Sequence, residues 1–397
     1  MAAGPGAGPT TNQQPFTTHL YSPFAIRHSP FLSEAIVLYR QAGQFKSNYV
    51  ADSAIFPLRQ DRIGLGLIVL AAYSLAFLGN SFLLQAVMIP FLVFSLASIG
   101  LNILTGYTGL LSLGTGAFMG VGAYACYKLM TAFPDVNVIV WILASGFFSA
   151  AIGALFGLPS LRIKGFYLAV ATLAAQFFLQ WCFIRIPWLV NYNVSGALDA
   201  PLRTLFGIPI MGPNATPQTR YVLVLTIVIA LTWLASNLVH GRIGRMWIAV
   251  RDMDLAAELM GIRLLHTKLL AFAVSSYYCG VAGALLVFLW YGGAEYDVFN
   301  INQSFFILFM VIIGGLGSLI GSFFGAALIF IMPIVLGIVL PAMLSPFGLS
   351  VGADTIEHLR FMIVGALIIF FLIVEPHGLA RLWQIGKQKL RVWPFPY

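Results

Sequence analysis

The stretch Gly241–Phe272, GRIGRMWIAVRDMDLAAELMGIRLLHTKLLAF, decides how this chain is organised. It gathers Arg242, Arg245, Arg251, Asp252, Asp254, Glu258, Arg263 and Lys268 into one helix-forming island between long apolar runs. Charged groups are costly in hydrocarbon, so the island belongs outside it, where it is placed to dock a partner.

The flanks give the class. The chain is 60% hydrophobic and 9% charged, with a mean hydropathy of +0.91, whereas soluble domains carry about 25% charged residues. Ten apolar segments can be drawn: 63–79, 82–104, 108–131, 137–158, 165–184, 221–239, 269–290, 303–318, 320–341 and 359–375. Several approach or reach the roughly 20 residues that span a bilayer as helix. The expectation is an all-α polytopic membrane protein with about ten transmembrane helices or half-helices. One bundle, 62–383, absorbs most of the chain, with the island as its loop 241–268. Residues 1–61 begin rich in Pro, Gly, Ser and Thr and lack a basic region followed by an apolar core. They read as a partly disordered cytoplasmic extension and not as a signal peptide. Residues 384–397 read as a cytoplasmic tail.

Charge distribution orients the bundle. With both ends inside, sixteen of the 21 Lys and Arg fall on the inner side, leaving Lys128, Arg185, Arg203, Arg220 and Arg360 at the outer face. The island then faces the cytoplasm. The net charge of +8 reads as basic inner loops beside anionic lipid and not as a nucleic-acid surface. Cys126, Cys182 and Cys279 lie in separate apolar runs without metal-ligand spacing, and the six histidines are scattered. No metal site and no catalytic cluster is expected, so the chain does not read as an enzyme. The Pro-rich segment 185–219 predicts a structured outer rim. GLLSLGTGAFMG at 109–120 echoes GLGSLIGSFFGA at 315–326, which suggests either an internal duplication or a shared need for tight helix packing.

Within the island, Asp252 and Asp254 are candidate N-caps for LAAELM, and Gly261 is placed to close that helix in the left-handed conformation. Leu255, Leu259 and Ile262 share one apolar face, suited to a partner's groove or to the bilayer interface. Here Asp252, Asp254, Ala256, Ala257, Glu258 and Gly261 resemble the Glu-Ala-Ala-x-x-x-Gly coupling loop of bacterial ABC importer permeases, with the order Ala-Ala-Glu and Gly261 three positions later. GYTGLLSLGTGAFMGVGAY at 106–124, LRIKGFYLAVATLA at 161–174, VIIGGLGSLIGSFFGAALI at 311–329 and EPHGLARLW at 375–383 are similar, in order, to LivM-type permease subunits of branched-chain amino acid transporters. The resemblance implies a bacterial inner-membrane importer working by alternating access. Its partners would be two ABC ATPase subunits, a second homologous permease and a periplasmic solute-binding protein. The chain has no G-x-x-x-x-G-K-[ST] loop, so ATP and Mg²⁺ belong to the partner subunits and this chain binds no cofactor. Thr115 stands where many relatives carry histidine, residues 191–198 read NYNVSGAL where a Gly-rich sequence is common, and the N-terminal extension is long. These departures leave the solute open among branched-chain amino acids, urea or short amides, and small aromatic carboxylates.

A translocation path has two candidate sources. Thr172, Gln176 and Gln180 recur every four residues on one helical face, and Asn102, Ser112 and Thr115 lie in a glycine-dense stretch. Either set lines a polar path, or it hydrogen-bonds between helices and packs them closely. An ion-coupled secondary transporter is disfavoured, because every Asp, Glu and Lys lies near a segment end.

Overall fold

Each apolar segment becomes a helix in a computed structural model that describes residues 59–160, 167–192, 197–199, 201–205, 207–212, 214–344, 353–374 and 378–392. In chain order these are α1 (Arg59–Leu78), α2 (Leu83–Tyr107), α3 (Thr115–Ala132), α4 (Val138–Ser160), α5 (Tyr167–Arg185) and α6 (Pro217–His240). The island supplies α7 (Arg242–Asp252) and α8 (Asp254–Leu259). After it come α9 (Leu264–Tyr291), α10 (Ile301–Gly314), α11 (Leu319–Leu344), α12 (Ala353–Val374) and α13 (Gly378–Val392). Among the described residues, seven helices are long and apolar enough to cross a membrane, and α10 and the 361–371 stretch of α12 are shorter apolar helices. Most of the N-terminal extension and the end of the tail lie outside the described residues. Every contact below lies within the unit Phe45–Lys389.

Two segments differ from the sequence expectation in the same way. The run 108–131 opens as a non-helical turn over 109–114, and the run 303–318 stops at Gly314, with a second turn over 315–318. Positive φ at Gly109 (69°), Gly315 (116°) and Gly317 (76°) takes the backbone out of the helical region at both places. Hydropathy continues across these turns, so an apolar count does not see them.

Burial ranks the helices. Of the span windows, 89% of α2 and 83% of α9 is buried, against 6% of α1. α9 is the central post, packed on α4, α3 and α2, while α11 and α10 close the other side of α2. Small residues permit this closeness. A Cβ added at Gly122 of α3 would fall on the Gly280 carbonyl of α9, so the two backbones touch. α2 ends in a π-helical turn at 103–107 and α9 in another at 286–291. Such turns widen a helix locally and often mark functional positions.

The Pro-rich segment is structured where it is described. A 3₁₀ turn covers Pro187–Val190, β2 (Thr204–Leu205) pairs antiparallel with β3 (Ile208–Pro209), and β1 (Leu198–Asp199) pairs with β4 (Gly293–Ala294), Leu198 opposite Ala294. Two arginines hold it in place. Arg203 donates to the carbonyls of Met130 and Pro134, and Arg220 to those of Ile210 (3.2 Å) and Gly212 (2.8 Å).

Candidate functional site

The two glycine turns share one construction. The first runs from α2 into α3, and the orphan amides at the start of α3 are met by side chains of other helices. Gly116 N donates to Ser304 Oγ of α10 (2.8 Å), and Ala117 N donates to Gln176 Oε1 of α5 (2.8 Å). Gln176 is fully buried; its Nε2 donates to Phe299 O (2.7 Å), and its Oε1 also accepts from Ser304 (3.0 Å). One turn away, Thr172 Oγ1 accepts from Leu113 N (2.9 Å).

The second turn runs from α10 into α11, and Asn102 of α2 performs there the task of Gln176. Its Oδ1 accepts from Gly317 N (2.9 Å), while Nδ2 donates to Ser318 O (2.8 Å) and Ser322 Oγ (3.0 Å). The sequence echo between 109–120 and 315–326 thus corresponds to two turns, each followed by a helix and each held by a buried carboxamide from elsewhere. The end of α2, just before the first turn, also touches the second. A Cβ at Gly106 would land on Asn102 Oδ1 and Gly317 N and stand 2.9 Å from Gly317 Cα.

The six candidate path residues are therefore placed as follows. Asn102, Thr172 and Gln176 are buried and bonded to turn backbone. Ser112 and Thr115 are buried in and beside the first turn, and Gln180 is half-buried a turn beyond Gln176. A cleft of about 720 Å³ opens beside Tyr124, Lys128, Phe183 and Trp188, and none of the six lines it. Gln176→Leu is isosteric enough to fit but strands Ala117 N and Phe299 O. Each orphaned group costs about 1–3 kcal/mol, so the expected result is a lower melting temperature of the purified protein as well as lower uptake, measured side by side.

The island is two helices where the sequence suggested one, and neither aspartate caps. Met253 is the N-cap of α8 and makes no side-chain bond. The reason is competition for the carboxylates. Asp252 ends α7 and binds Arg251 through Nε and Nη2, both at 3.0 Å, while Asp254 pairs with Lys268 of α9 at 2.6 Å. Asp254 still sits in the first turn of α8, the favourable end for a negative charge. Gly261 follows with φ 88° and donates to Glu258 O (2.9 Å), the left-handed closure its position suggested. Ala257 is buried against the body, and Ala256 is half-buried. Leu255, Leu259 (90% exposed), Met253 and Met260 project outward around Glu258, while Ile262 is half-buried and contributes less to that face.

Two residues that sequence reasoning passed over hold the island to the membrane body. Trp247 of α7 is fully buried and donates Nε1 to Thr267 O of α9 (3.2 Å). Gly244, Trp247 and Val250 recur every three residues on the buried face of α7, a spacing legible in the sequence. Arg251 Nη1 donates to Gly106 O (2.8 Å), at the edge of the first turn.

Residues 83–372 match the family described as branched-chain amino acid transport system / permease component. The chain belongs to this permease family. The high-affinity branched-chain amino acid transport system permease protein LivM of Salmonella typhimurium is 28% identical over 311 residues, covering 72% of this chain and 68% of its own. LivM of Escherichia coli is 27% identical over the same shares. A probable LivM of Methanocaldococcus jannaschii is 22% identical over 336 residues, covering 75% of this chain and 93% of its own. No solved structure matches. As a member of this permease family the chain is a multi-pass membrane transport subunit and not an enzyme, and it works with other transporter subunits.

Proposed function

We propose that this chain is the permease subunit of an ATP-driven importer of branched-chain or related amino acids, set in a bacterial inner membrane with both termini cytoplasmic. The observation that carries the reading is α8, a short helix whose Leu255 and Leu259, with the flanking Met253 and Met260, stand well exposed. Such a face fits the groove of a partner. Asp252, Asp254, Ala256, Ala257, Glu258 and Gly261 form the coupling element that an ATPase subunit grips. Two ATPase subunits holding ATP and Mg²⁺, a second permease of the same family and a periplasmic solute-binding protein complete the machine.

In alternating access the two glycine turns are the moving parts. Asn102, Ser112, Thr115, Thr172, Gln176 and Gln180 stand at or near them. When the turns part, the amides of Gly116, Ala117 and Gly317 are released to meet a solute carboxylate. Helix-start amides suit an anion and require no buried basic side chain.

Co-purification with the neighbouring subunits, followed by ATPase assays in nanodiscs with the binding protein, tests this. The panel holds leucine, isoleucine, valine, urea, a short amide and an aromatic carboxylate. Stimulation by binding protein loaded with a branched-chain amino acid is the expected result. Stimulation by urea or by the aromatic acid alone replaces the substrate, and purification without any ATPase subunit overturns the coupling reading in favour of an ion-coupled carrier.

A further inference from the structure

Arg251 stands where the coupling element and both glycine turns meet. Its Nη1 donates to Gly106 O (2.8 Å), and its Nε and Nη2 are both held 3.0 Å from Asp252 Oδ1, next to the Met253 N-cap of α8. Its aliphatic stem lies over the first turn, since a Cβ at Gly109 would stand 3.0 Å from Arg251 Cγ. The second turn is equally near. A Cβ at Gly317 would stand 3.5 Å from Arg251 Nη1 and 3.4 Å from Gly106 O. One side chain thus bonds the junction of α7 and α8 and the end of α2, lays its stem against the first turn and brings its guanidinium close to the second.

The planar fork of arginine serves this place in a way that lysine does not, because its donors point in fixed and different directions. The turns it lies beside leave the helical region next to the buried post α2. Gly109, Gly315 and Gly317 have positive φ, and the helix before the first turn ends in a π-helical segment. Glycine hinges absorb backbone change that neighbouring helices cannot, so a side chain tethered to Gly106 O and Asp252 and lying close to both turns is placed to open or close them together.

We propose that Arg251 is the positioning residue that transmits movement of α8 to the two glycine turns as one step, so that ATPase closure and opening of the path stay stoichiometric. The inference rests on the coupling role assigned to α8 above. Coupling through such a contact is established by measuring both ends and not by proximity.

The test uses the whole complex in nanodiscs and compares the parent with Arg251→Ala and Arg251→Lys. Two quantities are read: ATP hydrolysed per solute imported, and hydrogen exchange of 106–114, 315–318 and 253–261 with and without a non-hydrolysable ATP analogue. In the parent, the analogue is expected to change exchange at α8 and at both turns. In both variants α8 still responds, the turns no longer do, and ATP used per solute rises about tenfold, which is about 1.4 kcal/mol of coupling. If Arg251→Ala fails to assemble, Arg251→Lys decides, since it keeps the charge and the stem. Turns that respond in the variants as in the parent, or uptake and hydrolysis that fall in proportion, overturn the proposal and leave Arg251 as an anchor of α7. Absence of any response at α8 in the parent overturns the coupling reading itself, a distinct result.

Discussion

Gly106→Ala is expected to leave little folded permease in the membrane, although it adds one methyl group. The added Cβ meets Asn102 Oδ1 and the backbone of Gly317, with Gly317 Cα at 2.9 Å. Asn102 cannot swing aside freely, because it holds Gly317 N, Ser318 O and Ser322 Oγ in one arrangement. Overpacking a dense interior costs about 1–3 kcal/mol, and here the displaced groups are a backbone turn and the bonds that cap it. The check is fluorescence-detected size exclusion of the solubilised protein with a melting curve. A parent-like profile and parent-like uptake would show that the second turn does not need its close contact with the end of α2.

Gly261→Pro is expected to abolish uptake while the protein still inserts. Proline holds φ near −65°, whereas Gly261 has φ 88° and uses its N–H to bond Glu258 O at 2.9 Å. The closure of α8 is lost on both counts, and with it the angle between α8 and α9. Because the damage is confined to an exposed elbow, the buried posts α2 and α9 keep their packing. Glu258→Lys tests the same element without backbone change, by reversing the charge of Glu258 beside the exposed Leu255 and Leu259 of α8. Uptake of labelled amino acid, normalised to permease in the membrane fraction, decides; normal uptake by a properly assembled Gly261→Pro complex removes α8 from the coupling role.

How much of this was legible in the sequence depends on which force set each feature. The helices were legible, because a bilayer leaves apolar segments no other economical way to satisfy their backbone. The helical island and the left-handed Gly261 were legible for equally local reasons. The turns at 109–114 and 315–318 were not, since Leu110, Leu111 and Leu113 keep the hydropathy high where the chain leaves the helix. Nor was the loss of the aspartate caps, because Asp252 and Asp254 were drawn to Arg251 and Lys268, and Lys268 lies in the following helix. The shared face of Thr172, Gln176 and Gln180 was plain in the sequence, but the partners of Thr172 and Gln176 sit in the first turn, on α3, on α10 and in the turn before α10, far away in sequence. Arg251 looked like one more inner-side cation until its carbonyl acceptor, 145 positions earlier, came into view.

The central post α9 has one more property that follows from its ends. It begins just after the Gly261 elbow, and it finishes just before β4, which pairs with β1 in the Pro-rich segment. Its 28 residues make a lever arm of about 40 Å, long enough that a tilt of about 10° displaces the far end by about 7 Å. A movement of α8 that tilts α9 would therefore reach the β1–β4 ladder enlarged, carried by a single helix between the Gly261 elbow and Gly292.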